Sequence, residues 1–166
     1  MEQLLTQNAQ AYATRRRLRL AERLGFGIHG IIFRTEGNPE TGYVATAIKV
    51  HRSREPYLRE CAVYQRLKEA GITKILGFNV PQILGQDDEL CIIEMSIVTR
   101  PFVLDFAGAY LDAPPDFSAE IWAAWEAEKV DQFGARWPKV QDILAALELM
   151  DIHMVDVSPS NIAFVD

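Results

Sequence analysis

Polar and apolar residues follow two different spacings along the chain, one before and one after residue 101. At the start, residues 1–14 place Leu4, Leu5, Ala9 and Tyr12 on one side of a predicted short helix. The segments 18–24, 31–36 and 43–50 then alternate partly or are rich in β-branched residues, and glycine-containing turns separate them. This pattern predicts three consecutive antiparallel strands.

A helix is predicted next, from Ser53 and Pro56 to Gly71, because apolar residues recur there at helical spacing. Those residues are Leu58, Cys61, Tyr64 and Leu67. Two further strands are predicted at 79–85 and 89–97, separated by the acidic turn 86–89. The first part of the chain is therefore predicted to be a five-stranded antiparallel sheet with one inserted helix.

After Pro101 the chain is predicted to be helical or loop-like. Ser118 can cap a helix that ends at Gly134, and Pro138 can open a second helix. The apolar residues of these helices are Ile121, Trp122, Trp125 and Val130 in the first and Val140, Ile143, Leu144 and Leu147 in the second. The predicted fold class is α+β, with a sheet-containing part at 1–97 and a shortened helical part at 98–166.

The composition is that of an ordinary globular protein and excludes several classes. Of 166 residues, 49% are hydrophobic and 24% are charged, with a net charge of −6, which excludes wholesale disorder. No apolar run is long enough for a membrane span, and the acidic balance after residue 54 argues against nucleic-acid binding. The basic run 15–19 is interpreted as a solvated surface. Cys61 and Cys91 lack metal or disulfide spacing, which favours a cytoplasmic protein.

Glycines recur in the turn between the first two strands, as Gly25-Phe26-Gly27-Ile28-His29-Gly30. Without a Cβ atom, glycine lets backbone amides approach phosphate oxygens closely. A dinucleotide-binding fold would need a helix directly after these glycines, whereas residues 31–33 continue as a strand. The motif therefore indicates a phosphate-binding loop between antiparallel strands, and a plain glycine-rich hairpin is the alternative.

Further polar residues have the spacing of a nucleotide site. Lys49 lies in the apolar strand segment 47–50, and Glu60 in the following helix is its candidate carboxylate partner. Asp156 and Asn161 flank Pro159 directly after a helix, a pattern that a simple Asx turn would also explain.

In this order, the motifs resemble the protein-kinase-like superfamily, from Gly25 to Asn161. The resemblance implies a kinase-like small lobe followed by a partial large lobe, with ATP and Mg²⁺ as cofactors. It implies that Lys49 holds the α- and β-phosphates with Glu60 as its partner. It also implies that Asp156 orients the acceptor hydroxyl and that Asn161 binds Mg²⁺.

The resemblance further implies a nucleotide-binding cleft between the two lobes. Ile32 and Ala47 would cover the adenine, Ile93 would lie behind it, and the backbone of Glu94 and Ser96 would bind its edge. The nucleotide-binding residues are then Gly25, Gly27, Gly30, Ile32, Ala47, Lys49, Ile93, Glu94 and Ser96.

The chain also departs from the family pattern. Met154 and Val155 replace the His-Arg pair before the Asp, and Ser158 replaces the usual lysine. No D-F-G triplet follows Asn161, and Asp166 is the candidate for a substitute Mg²⁺ ligand. Because phosphoryl transfer needs that metal carboxylate, low activity is expected from the chain alone.

Two functions stay open at this stage. The first is an ATP-dependent phosphotransferase of protein-kinase type, which the retained lysine, glutamate, aspartate and asparagine favour. The second is a pseudokinase, a nucleotide-binding or scaffold module without turnover, which the missing D-F-G favours. The apolar face of the last helix and the three tryptophans must be covered by residues 101–135, by self-association or by a protein partner.

Overall fold

The computed structural model describes all 166 residues, and it is an α+β fold with antiparallel sheets. The helices are α1 (Glu2–Arg16), α2 (Arg54–Glu69), α3 (Ala119–Phe133) and α4 (Trp137–Glu148), and a 3-10 turn at Gly134–Arg136 joins the last two. The strands are β1 (Leu20–Phe26), β2 (Gly30–Thr35), β3 (Thr46–His51), β4 (Lys74–Ile75), β5 (Phe78–Asn79), β6 (Ile83–Asp87), β7 (Ile92–Ser96), β8 (Phe102–Val103), β9 (Tyr110–Leu111), β10 (Ile152–His153) and β11 (Ile162–Ala163).

The main sheet has five antiparallel strands in the order β1-β2-β3-β7-β6, which confirms the predicted sheet. Its central strand β3 is buried at every residue and pairs with β2 on one side and β7 on the other. β3 begins at Thr46 rather than at Tyr43, because Tyr43 forms an isolated bridge with Asn38 in the preceding turn.

Helices cover both faces of this sheet, whereas the sequence predicts one helix beside it. α1 packs Leu5, Ala9 and Tyr12 against β2, β3 and β7, while Leu4 is exposed and was wrongly placed on that side. α2 buries Tyr57, Cys61, Tyr64 and Leu67 against the opposite face, and Leu58 is also exposed rather than buried. The main sheet is therefore the middle layer of three.

The two predicted C-terminal helices are confirmed. The Ser118 hydroxyl caps α3 by accepting from the Ile121 amide at 3.2 Å, and α3 ends at Gly134 with φ +56. The inward face of α4 is buried, as predicted. The prediction of only helix and loop after Pro101 is wrong, however, because four two-residue strands form there. Such short strands have too few residues to show an alternating pattern.

Two antiparallel pairs of these short strands fold the C-terminal part back on itself. β8 pairs with β11 and β9 pairs with β10. The first pair places the residues after Val103 beside the loop that precedes Ile162, although α3 and α4 separate them in sequence.

One core of 25 buried residues joins the two parts of the chain, from Ala47 on β3 to Ile162 on β11. α3 covers α4 within the chain, and Trp137 is buried between them, beside Phe133 and Trp125. Both cysteines are free; Cys61 is buried, and Cys91 is partly exposed instead of in the core. None of the helices has the length and apolar character needed to cross a membrane.

Candidate functional site

A cleft of about 630 Å³ lies where the main sheet meets the C-terminal part of the chain. Both parts contribute side chains to it, which is typical of small-molecule sites. Its lining includes the predicted residues Gly25, Gly27, Gly30, Ile32, Ala47, Lys49, Glu60, Ser96, Asp156 and Asn161. The fold therefore brings together most of the residues singled out from sequence motifs far apart in the chain.

The glycines of the β1–β2 turn have different local reasons to be glycine. A Cβ atom on Gly30 would lie 1.9 Å from the Val50 carbonyl oxygen, so the packing of β2 on β3 requires glycine there. A Cβ atom on Gly27 would meet nothing within 4 Å, and one on Gly25 would make an ordinary contact. Packing within the protein therefore requires glycine at position 30, but it does not require glycine at positions 25 and 27.

Lys49 projects from β3 into the cleft and pairs with two carboxylates. Its Nζ atom lies 2.7 Å from Glu60 on α2, as predicted, and 2.7 Å from Asp105. Burial opposes the charged form of Lys49, but the charges of Glu60 and Asp105 outweigh burial and raise the pKa of the ammonium. Lys49 is therefore a fixed positive charge facing the cleft.

Glu60 connects three segments around this lysine. Its Oε2 atom contacts both Lys49 and the Nε2 atom of His51, at 2.7 and 2.6 Å, and its Oε1 atom accepts from the Phe106 amide. Burial would raise the pKa of Glu60, yet Lys49 and His51 lower that pKa to about 2. The carboxylate is fully buried and holds β3, α2 and the loop after β8 together.

Asp105 is a cleft residue that the sequence pattern does not reveal. It follows β8, and its side chain is about one-third exposed, at 32%. A D-F-G triplet is expected after Asn161, whereas Asp105, Phe106 and Gly108 precede α3 and α4. The antiparallel β8–β11 pair nevertheless places this loop beside the Asp156–Asn161 loop, so that a Cβ atom on Gly108 would lie 3.0 Å from the Asp156 Cβ.

Asp105 also has an unusual backbone conformation. Its φ angle is +68, in the left-handed region that side chains other than glycine seldom adopt. Aspartate tolerates this region better than most residues, and residues held there tend to mark functional loops. The sequence feature that could have identified Asp105 is the short apolar segment 102–104, which Asp-Phe-Ala-Gly follows.

The Asp156–Asn161 loop is held by its own backbone. The Asn161 side chain accepts from the Ser158 amide at 2.7 Å and donates to the Asp156 carbonyl at 2.6 Å. Asp156 is left about half exposed at the cleft, and its carboxylate lies 3.8 Å from the His29 ring in the glycine turn. Trp125 on α3 supports this loop from behind by donating to the Val155 carbonyl at 2.9 Å.

Three predicted site residues do not line the cleft. Ile93 and Glu94 are buried in β7 between β3 and β6, whose ladders use the backbone groups on both sides. Ile93 pairs with Lys49 and packs in the same core as Ala47, so it lies behind the cleft wall, as expected. The Glu94 side chain points to the α1 face, where Tyr12 donates to it at 2.9 Å. Asp166 is 92% exposed, and its nearest charged partner is Arg100, at 3.7 Å.

The end of β7 and the segment after it line the cleft where Ile93 and Glu94 were expected. Met95 and the predicted Ser96 close β7, and Ile97 and Val98 follow it; all four line the cleft. Neither Ile97 nor Val98 makes a backbone hydrogen bond within the protein. Their amides and carbonyls are therefore free to bind a ligand in the cleft.

No family model matches the chain, and a search of the curated proteins finds no significant match. The functional assignment depends on the geometry of the cleft alone.

Proposed function

We propose that the chain is an ATP-dependent phosphotransferase of protein-kinase type, with its nucleotide site in the cleft between a kinase-like small lobe and a shortened large lobe. The observation that carries the proposal is Lys49, held between Glu60 and Asp105 in a cleft that also contains the glycine turn and Asp156. A lysine fixed by a helix glutamate beneath a glycine turn is suited to polyphosphate binding.

The upper part of the cleft fits a nucleobase. Ile32 and Ala47 give it an apolar wall, and the unpaired backbone groups of Ile97 and Val98 can bind the polar edge of a flat ring. In this proposal, the backbone of Ile97 and Val98 takes the base-binding role that was first expected of the Glu94 backbone. Gly25 and Gly27 then have a reason to be glycine, because a Cβ atom there would face the phosphates.

The residues in the lower part fit Mg²⁺. Mg²⁺ prefers oxygen ligands from one or two carboxylates together with substrate phosphates. Asp105 uses one carboxylate oxygen for Lys49 and has no protein partner on the other, and the Asn161 amide oxygen lies in the same cleft. The Tyr64 hydroxyl, which also lines the cleft, is buried without a partner. Asp105 would therefore supply the metal carboxylate expected from a D-F-G triplet, whereas Asp166 does not line the cleft.

Each protein group then has a defined task in phosphoryl transfer. The bound metal supplies charge neutralisation for the phosphates. Lys49 and the amides of the glycine turn bind and orient the phosphate oxygens, and Glu60 keeps Lys49 in place. Asp156 accepts a hydrogen bond from the acceptor hydroxyl and takes its proton as the acceptor oxygen bonds to the γ-phosphorus, while the bond between that phosphorus and the ADP oxygen breaks and ADP leaves. His29 of the glycine turn lies 3.8 Å from the Asp156 carboxylate and so faces the same part of the cleft.

Calorimetric titration with ATP and Mg²⁺ tests nucleotide binding. The wild-type chain is expected to bind, and Lys49→Ala is expected to weaken binding by about 1.5–3 kcal/mol, because a charge-assisted contact is lost. If wild-type chain shows no heat of binding at millimolar ATP, the proposal is wrong.

An ATPase and autophosphorylation assay tests turnover. Asp105→Asn keeps the shape of the side chain, and the loss of a metal carboxylate is expected to reduce turnover roughly a thousandfold. Asp151→Asn is the matched control, because Asp151 is exposed, lies away from the cleft and also has a left-handed φ, of +56. Activity that is retained in Asp105→Asn would exclude this metal role.

A nucleotide-binding module without turnover is the second candidate function. It is favoured by the Asn161 side chain, whose amide oxygen and nitrogen already bind their own loop. This alternative predicts that MgATP binds, as measured by calorimetry. It also predicts that any ATP turnover is the same in wild type and in Asp156→Ala.

A further inference from the structure

His51 is a buried residue beside Lys49 and Glu60, and it has no role in the proposed reaction. It ends β3 two residues after Lys49, so both side chains lie on the same face of the strand. Its side chain has no solvent exposure. The Nε2 atom lies 2.6 Å from the Glu60 Oε2 atom, and the Nδ1 atom lies 3.1 Å from the Cys91 carbonyl oxygen.

Both ring nitrogens of His51 therefore face hydrogen-bond acceptors. A neutral imidazole has one N–H group and can satisfy only one of them, whereas an imidazolium has two. The alternative is a proton on Glu60, but both oxygens of that carboxyl already face donors: Oε2 contacts the Lys49 ammonium and Oε1 accepts from the Phe106 amide. The Cys91 carbonyl also accepts from the His51 backbone amide at 2.9 Å, but only a ring with both protons makes a hydrogen bond of each side-chain contact.

The nearest charged group other than Glu60 is the Lys49 ammonium, which contacts the same Oε2 atom and opposes a second positive charge. On α2, Tyr57 packs its ring edge to face with His51 at 5.5 Å, and its hydroxyl donates to Asp88. Burial raises the pKa of Cys61 to about 11, so this thiol stays neutral. On the β7 side, burial also raises the pKa of Cys91. Glu60 is the one anion in direct contact with the ring.

The charge on His51 changes the electrostatics of the nucleotide site. With His51 protonated, the cluster of Lys49, His51, Glu60 and Asp105 contains two cations and two anions. With His51 neutral, the same cluster would carry a net negative charge beneath a cleft proposed to bind a polyphosphate. Glu60 would also pair with Lys49 alone, which would reduce the attraction of this lysine for phosphate oxygens.

We propose that His51 is a doubly protonated positioning residue, which shares Glu60 with Lys49 and so leaves the Lys49 ammonium available to nucleotide phosphates. The protonation state follows from contacts within the protein, and the effect on phosphate binding rests on the proposed function. The two statements are therefore tested separately.

The first test is nitrogen-15 NMR of the histidine side chains in the chain without nucleotide. The chain has three histidines, and the resonances lost in His51→Gln identify His51. At pH 7.5, about one unit above the usual histidine pKa, a solvated ring is mostly neutral. Both nitrogens of His51 are expected to be protonated there. An unprotonated nitrogen on His51 at this pH would overturn the proposal, whatever the chain does with ATP.

The second test measures MgATP affinity by calorimetry at pH 7.5 in wild-type chain, His51→Gln and His153→Gln. Glutamine can donate one hydrogen bond but carries no charge, so His51→Gln is expected to weaken binding on the order of tenfold. His153 lies outside the nucleotide cleft, and its substitution is expected to leave the affinity unchanged. Circular dichroism checks that each variant is folded.

The outcomes of the two tests separate the two hypotheses. Equal affinity in folded His51→Gln and wild type would contradict the positioning role, even if His51 is doubly protonated. Should the wild-type chain bind no MgATP, the proposed function fails, and with it the effect on phosphate binding. The charge state of His51 would still be decided by NMR.

Discussion

At the scale of single residues, substitution of Gly30 tests stability, and substitution of Gly27 tests ligand binding. Gly30→Ala places a Cβ atom 1.9 Å from a backbone oxygen of β3, so we expect a loss of about 3 kcal/mol or more in the free energy of unfolding. Gly27→Ala meets no atom and should change stability by less than about 0.5 kcal/mol.

The two variants therefore make opposite predictions. Gly27→Ala should melt like the wild type but bind MgATP more weakly by about 1 kcal/mol or more, because the new methyl group hinders the amides from reaching phosphate oxygens. Urea unfolding and calorimetry measure the two effects. Unchanged MgATP affinity in Gly27→Ala would show that the glycine turn is only a hairpin.

Glu60 makes a pH-dependent contribution to stability. Its native pKa of about 2 lies below the unfolded value near 4.5, so its ionised form stabilises the fold fully above pH 4.5. This stabilisation is lost as the pH falls from about 4.5 to about 2. We expect Glu60→Gln to cost about 3 kcal/mol at pH 7, because Lys49 and His51 lose their common anion.

Urea titrations at several pH values check this prediction. The stability difference between wild type and Glu60→Gln should shrink as the pH falls below 4.5. A difference that stays the same from pH 4.5 down to pH 2.5 would mean that Glu60 is not a buried anion. Glu55→Gln is a suitable control, since Glu55 is exposed at the start of the same helix.

At the scale of elements, α3 supports the loop that contains Asp156. Trp125→Phe removes the hydrogen bond from Nε1 to the Val155 carbonyl and should cost about 1 kcal/mol of stability. Because Val155 is next to Asp156, turnover should fall more than MgATP affinity.

Trp122→Phe is the matched control for this variant. Trp122 lies one turn earlier on the same helix, is also partly exposed, and its indole N–H makes no hydrogen bond. It should retain turnover. Equal losses of turnover in the two variants would show that α3 acts through general packing rather than through the Val155 contact.

At the scale of the whole molecule, the continuous core predicts one unfolding transition. The 25-residue cluster includes residues of β3, α2, β7, α4 and β11, so the two parts of the chain should not unfold separately. All three tryptophans lie after residue 98, so their fluorescence reports the C-terminal part, while far-UV circular dichroism reports the whole chain. The two urea curves should coincide; separated midpoints would contradict a single cooperative unit.

Much of this architecture could be predicted from sequence because it is locally encoded. Five strands, the helices with their Ser118 and Gly134 boundaries, and the Lys49–Glu60 pair follow from spacing along short stretches of chain. Glu94 does not reach the cleft, because its side chain faces α1; β7 is buried on both faces, so the sequence alone cannot tell which of its residues face the cleft. Asp105 was missed because β8 has two residues and its partner strand lies beyond two helices.

The β8–β11 pair has a consequence for the order of events during synthesis. The sheet, Lys49, Glu60 and Asp105 all leave the ribosome before α3 and α4, but Asp156 and β11 emerge after every other element. Chains are made from the N-terminus at roughly 5–20 residues per second, and domains generally fold as units. A nascent chain that has completed β9 therefore carries all of the cleft lining except Asp156, Ser158, Ser160 and Asn161. It has an open edge at β8, and the cleft closes only when β11 reaches that edge.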